Sequence, residues 1–183
     1  AVIATEDDRF YSHGGVDYVG VIRAATANLR GHLSQGASTI TMQVARNFFL
    51  SNEKTFSRKI YEILLAWEIE SQLSKDKILE IYMNQIFLGQ RAFGFSSAAQ
   101  IYFGKELKDI SIAESAMLAG LPKAPSAYNP VTNFRRAKIR QEYILQRMRD
   151  LSYITPEDYK KAMTEELHIR GLGNEFSTRA DFP

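Results

Sequence analysis

The chain contains no cysteine, which excludes disulfides and zinc–thiolate sites and leaves either redox compartment open. Histidine is scarce too, and the three present, His13, His32 and His168, are too scattered to make a metal site. Charge of either sign is nearly balanced, with 23 Lys and Arg against 21 Asp and Glu for a net +2. That surplus is too small to argue for nucleic acid. No apolar run reaches the roughly 18 residues that would cross a bilayer, and no signal-peptide pattern occurs. Internal repeats and low-complexity stretches are missing as well. What remains is ordinary: 183 residues, 45% hydrophobic and 24% charged, enough for one full domain with a substantial core. The chain opens on Ala1-Val-Ile-Ala, mid-pattern and without Met. It reads as a fragment whose N-terminal part is missing, with room for an anchor upstream.

The periodic signals are helical. Val16 to Leu33 mixes apolar, small and basic residues without a strong stripe, and Gly20 and Gly31 weaken it, so a mobile or partly helical segment is expected there. Ser38 or Thr39 is the expected N-cap of a helix carrying Ile40, Val44 and Phe48. Phe56 to Leu73 spaces Ile60, Leu64, Trp67 and Ile69 among charges as a long amphipathic helix. Ser74 to Leu88 places Ile78, Ile81, Tyr82 and Ile86 on one face, and Ser96 to Phe103 reads as a further short helix. Ser111-Ile-Ala-Glu114 is a capping box, closed by Gly120 and Pro122. Asn133 to Leu151 is a basic amphipathic helix, and Thr155-Pro-Glu-Asp158 starts another with Pro at its first position. Strand signals are confined to short extended pieces near Phe87 and in the C-terminal tail. The tail from Gly171 reads as a linker. The fold class is therefore mainly α.

Three stretches carry candidate chemistry. In Ala1 to Gly15, an apolar run delivers Glu6, Asp7 and Asp8, followed by Arg9, Phe10, Tyr11 and His13. A carboxylate ending an apolar helix at a cleft can serve as general acid or base with a raised pKa; the ordinary alternative is an exposed helix end with surface acids. His13 reads as a structural histidine or loop donor, because no thiol or serine nucleophile motif accompanies it. In Gly36 to Asn47, a helix N-terminus offers free N–H groups to an anion, with hydroxyls from Ser38 and Thr39 and with Gln43 and Arg46 further along the same face. With Arg58 and Lys59 this can bind a pyrophosphate; a plainly capped helix is the alternative. In Arg58-Lys-Ile-Tyr-Glu62, all three charged residues can share a face, as an intrahelical ion pair or with Glu62 as a second carboxylate opposing Glu6. Ser51-Asn-Glu-Lys54 matches S-x-x-K by chance, since no S-D-N or K-T-G follows. The basic run Arg135, Arg136, Lys138, Arg140, Arg147 and Arg149 reads as a solvated face, with anionic lipid headgroups as the second reading.

Taken together, Glu6-Asp-x-x-Phe10-x-x-His13-x-Gly15, Gly36-Ala-Ser-Thr-Ile-Thr-x-Gln43, Arg58-Lys-x-x-Glu62 and Ile81-Tyr-Met-Asn-Gln-Ile-Phe-Leu-Gly89 resemble the family 51 glycosyltransferases in order and spacing. Ala98 to Lys105 and Leu121 to Pro130 are similar to the same family. These are peptidoglycan glycosyltransferase domains of class A bifunctional penicillin-binding proteins and of monofunctional enzymes, and this chain looks most like the type 1a proteins. The resemblance implies a lysozyme-like helical domain with a small mobile membrane-proximal lobe. Residues 1–170 would form it, and residues 171–183 would begin a linker toward a transpeptidase domain.

The resemblance also implies the activity: polymerisation of lipid II with inversion at the anomeric carbon and release of undecaprenyl pyrophosphate. It implies Glu6 as general base and Glu62 as the second glutamate near the donor. Arg46, Arg58 and Lys59 would stand near the phosphates. Ser38, Thr39, Gln43 and Asn84 would line the cleft, and Asp7, Phe10 and His13 would shape it. The implied partners are lipid II, the growing glycan strand, the outer leaflet of the cytoplasmic membrane and cell-wall synthesis proteins; nucleic acid is not among them. The implied location is the periplasmic face of that membrane. No cofactor is required, although a divalent cation, Mg or Mn, serves some members near the pyrophosphate. The rival reading is a lysozyme-like hydrolase or lytic enzyme on finished peptidoglycan, which would not need the basic, hydroxyl-rich pyrophosphate apparatus.

Overall fold

The computed structural model describes residues 1–29, 38–50 and 56–171. Among them the chain is helical except for turns and one isolated antiparallel bridge between Phe87 and Phe93, in keeping with the mainly α expectation. The helices are α1 (Val2–Glu6), α2 (Tyr18–Leu29), α3 (Ile40–Phe49), α4 (Phe56–Gln72), α5 (Lys75–Gln85), α6 (Phe95–Phe103), α7 (Ile112–Ala119), α8 (Phe134–Asp150) and α9 (Pro156–Thr164). The contacts divide the chain into two units, Glu6–Gln85 and Ala1–Thr5 with Ile86–Pro183.

The unit of residues 6–85 packs α3 against α4 and α5. Thr39 is the N-cap of α3: its hydroxyl accepts from Met42 N at 3.1 Å and donates to the Gly15 carbonyl at 2.6 Å. The cap therefore also ties α3 to the loop after the first motif. That loop comes close to α4 because Gly15 has φ +91° and no side chain; a Cβ there would stand 2.9 Å from the Ala66 carbonyl oxygen. Val16, Met42 and Ala66 fill the space beneath, with Ile63 packed on them. Tyr18–Leu29 is a regular helix where the sequence predicts a mobile or partly helical stretch. Gly20 is accommodated because the Asp17 carboxylate lies over the first turn, 2.4 Å from where a Cβ would be. Gly31 and the rest of that stretch, Ser51 to Lys54 and the tail beyond Gly171 lie outside the described residues.

One helix is turned opposite to expectation. The buried side chains of α4 are Glu62 and Ala66. Ile60, Leu64 and Trp67 of its apolar stripe are 46%, 49% and 44% exposed. The buried Glu62 charge is paired within its own helix by Lys59 and Arg58, so this side can face inward.

The other unit is built on α7 and α8, with α6 and α9 against α7 and α9 also against α8. Its punctuation is as the sequence predicts. Ser111 and Glu114 form a reciprocal capping box on α7, and Thr155 caps α9 with Pro156 at its first position. Glu114 also binds Lys105 at 2.8 Å. On α8, Arg140 lies over Tyr143 and Tyr128, and Gln141 donates from its buried amide to the Ala113 carbonyl at 2.8 Å. Arg135 and Arg136 are exposed, whereas Lys138, Arg140, Arg147 and Arg149 are half-buried, so the basic run is only partly a solvated face.

Candidate active site

Every catalytic or cleft residue that the family resemblance implies lies in the unit of residues 6–85. Glu6 is the last residue of α1, and Gln43 Nε2, on the second turn of α3, donates to its Oε2 at 2.9 Å. Amide donation favours the ionised carboxylate. On the far side of that amide, the Tyr82 hydroxyl donates to Gln43 Oε1 at 3.3 Å from α5. Tyr82 is 1% exposed. Burial holds its phenol well above the ordinary value, the Glu6 charge pushes the same way, and Arg46 on α3 opposes them.

The next residue, Asp7, has a different set of partners. Its buried carboxylate accepts from His13 Nε2 at 2.8 and 3.0 Å and from Ile40 N, the first amide of α3, at 3.0 Å. The anion at this helix N-terminus is thus Asp7 itself, and Met42 N is taken by Thr39. This corrects the expectation that the terminus offers free N–H groups to a pyrophosphate. His13 is held by Asp7 through Nε2, while its buried Nδ1 has no hydrogen-bond partner among the described residues. Phe10 is fully buried, and Lys75 Nζ sits 4.5 Å from its ring centroid while binding Glu70 at 2.6 Å. Thr41 donates to that same Glu70 oxygen at 2.6 Å. Asp7, Phe10, His13 and Thr39 therefore hold the frame behind Glu6.

Glu62 anchors a second cluster. Its side chain is 1% exposed and receives Lys59 Nζ at 2.7 Å, while Arg58 Nε stands at 3.3 Å, close enough for an ion pair though not aligned as a hydrogen bond. Lys59 Nζ also donates to Ser38 Oγ at 2.8 Å. Both clusters thus touch the start of α3, one through Ser38 and the other through Gln43. Asn84 is exposed near the end of α5, and among the described residues no hydrogen bond or ion pair ties it to either cluster. Among the described residues no three His, Asp or Glu side chains are arranged to hold a metal ion. With Asp7 on backbone and imidazole and Glu62 on two cations, the donor set does not suit a resident Mg or Mn ion.

The transglycosylase family model matches residues 1–149, every residue of the two clusters just described among them. The chain belongs to the transglycosylase family. A transglycosylase-named protein of Cupriavidus necator is 62% identical over 170 residues, covering 93% of this chain and 74% of that protein. Penicillin-binding protein 1A of Neisseria gonorrhoeae is 63% identical over 169 residues, covering 92% of this chain and 21% of that protein. A crystal structure of penicillin-binding protein 1A from Haemophilus influenzae matches with TM-score 0.51 and 33% identity, covering 72% of this chain and 17% of that one. The chain thus spans about a fifth of the length of the penicillin-binding proteins it resembles. Its motifs and these matches make this transglycosylase domain a peptidoglycan glycosyltransferase of cell-wall synthesis. Sequence reasoning found Glu6, Gln43 and the Arg58–Glu62 group. It missed Tyr82, Glu70 and Lys75, because Tyr82 reads as part of an apolar face and the other two as helix-surface charges.

Proposed function

We propose that this domain polymerises lipid II, with Glu6 as the general base. Glu6 takes the proton from the 4-hydroxyl of the acceptor sugar as that oxygen attacks the anomeric carbon of the growing strand. The carbon–oxygen bond to the diphosphate breaks in the same displacement, its electron pair leaves with undecaprenyl pyrophosphate, and the α-linked donor becomes a β-1,4 product. A positioned carboxylate contributes on the order of 10²–10⁴ in rate to such a step. Lys59, Arg58 and Arg46 offset the charge that develops on the leaving diphosphate. Glu62 holds Lys59 and Arg58 in place, and Ser38 fixes the Lys59 ammonium from α3's side. Asn84 belongs to the cleft wall.

The observation that carries this reading is the pair of clusters at the start of α3: a carboxylate donated to by Gln43, and a carboxylate-held pair of cations of which Lys59 donates to Ser38. An enzyme that only hydrolyses a neutral glycosidic bond has no use for the second. The exposed apolar side chains of the same unit support a seat on the outer leaflet of the cytoplasmic membrane. They include Tyr18, Val19 and Ile22 on α2, Phe48 and Phe49 on α3, and Phe56, Leu64 and Trp67 on α4. A lipid-linked substrate would be met there, on the periplasmic side, with residues 171–183 leading toward a further domain and cell-wall synthesis proteins as neighbours. No described helix is long and apolar enough to cross a membrane.

The test is turnover of lipid II in detergent, wild type beside Glu6→Gln, with products resolved on a gel. Glycan chains from wild type and none from a Glu6→Gln protein of unchanged melting temperature are expected. Polymer from Glu6→Gln would remove the base assignment. Clearing of purified peptidoglycan without polymer would replace the polymerase by a hydrolase.

A further inference from the structure

Tyr82 takes part in no step above, yet it is buried at the back of the base. We infer that Tyr82 is a positioning residue: its hydroxyl fixes the Gln43 amide in the orientation that donates to Glu6. The inference rests on the reading of Glu6 as base and deepens it.

The argument is one of donors and acceptors. An ionised carboxylate only accepts, an amide has one donating and one accepting end, and a phenol can do either. With Glu6 ionised, the chain Tyr82 OH → Gln43 Oε1 and Gln43 Nε2 → Glu6 Oε2 is the direction that leaves every group satisfied. With Glu6 protonated, the amide can turn over, accept from the carboxyl and donate to the phenolic oxygen. The phenol therefore biases the base toward its ionised form as long as it stays a neutral donor. Its charged neighbours are Glu6, from α1, and Arg46, from α3; burial and Glu6 disfavour loss of the phenolic proton and outweigh Arg46. The ring is 1% exposed at the α3–α5 contact, so the hydroxyl cannot swing away to water. A tyrosine that served only packing would fill the same space without its oxygen.

Tyr82→Phe keeps the ring and removes that oxygen. Two readouts are taken: the pH dependence of lipid II turnover, and the carbon-13 titration of the Glu6 side-chain carboxyl, assigned by its loss in Glu6→Gln. Both midpoints are expected to move to higher pH by about half a unit or more, kcat to fall about three- to ten-fold and KM to stay within about two-fold. In a Gln43→Met background the same change is expected to add nothing. Wild-type midpoints in Tyr82→Phe, or an equal loss in the Gln43→Met background, would overturn the inference. A shifted carboxyl titration alongside an active Glu6→Gln would leave the coupling standing and remove the base reading instead. Should Tyr82→Phe fail to fold, 3-fluorotyrosine placed at Tyr82 retains the hydroxyl as a stronger donor; both midpoints should then move down, and an upward or absent shift would count against the relay.

Discussion

At the scale of single residues, neighbouring acids divide their work by direction. Glu6 and Asp7 are adjacent, but Glu6 meets a side-chain amide and Asp7 a helix terminus and an imidazole. Asp7→Asn leaves one acceptor where a charged carboxylate served two donors. A loss of about 1–3 kcal/mol is expected, read as a lower urea midpoint with unchanged slope; an unchanged midpoint would show that the Asp7–His13–Ile40 junction contributes nothing to the fold. Residue types and spacings were enough to pick out Glu6, Gln43, Lys59 and Glu62. The pairing of Lys59 with Glu62 was legible from its spacing along one helix, but the partners of Glu6 and Gln43 were not. A hydroxyl such as Thr39 reads equally as cap or ligand until its donor and acceptor are both seen to be engaged.

At the scale of elements, the capping signals were read correctly at α3, α7 and α9, because a cap is settled within four residues of chain. The rotation of α4 was not. Periodicity locates a stripe on a helix but does not say which stripe meets its neighbours, and here Glu62 and Ala66 do so while Trp67 turns outward. This gives a direct test of the membrane seat, since Trp67 is the single tryptophan of the chain. Vesicles of anionic phospholipid should shift its fluorescence to the blue and raise its intensity. Trp67 fluorescence that ignores vesicles while the protein sediments with them would place the contact elsewhere, and no binding at all would argue against a membrane role for this face. A Phe56→Ser, Leu64→Ser double variant is expected to weaken binding by about ten-fold or more, from the roughly 25 cal/mol lost per Å² of apolar burial.

At the scale of the whole chain, each unit carries a buried phenol that must stay neutral. Burial pushes Tyr102 to about 12, where its hydroxyl donates to the Leu88 carbonyl at 2.8 Å, and holds Tyr82 higher than its ordinary value. The unfolded chain loses these protons near pH 10 and the folded chain does not. The folded state thus binds more protons above pH 10, and stability falls as pH rises from about 10 to 12. Thermal melts across that range should show the decline, and Tyr102→Phe should flatten it while lowering stability at neutral pH. A melting temperature constant up to pH 12 would contradict both assignments.

The sequence alone determined the helical class, most element boundaries, the caps and the chemical types of the candidate groups, because these depend on residues within a turn or two of one another. Tertiary structure decided the rest. Ile40 N meets Asp7 across 33 residues, Gln43 meets Glu6 across 37 and Tyr82 meets Gln43 across 39. No local rule specifies those encounters. They arise only when Glu6 and Asp7 are brought together with α3 and α5 and the polar groups they bury must find partners in one another rather than in water.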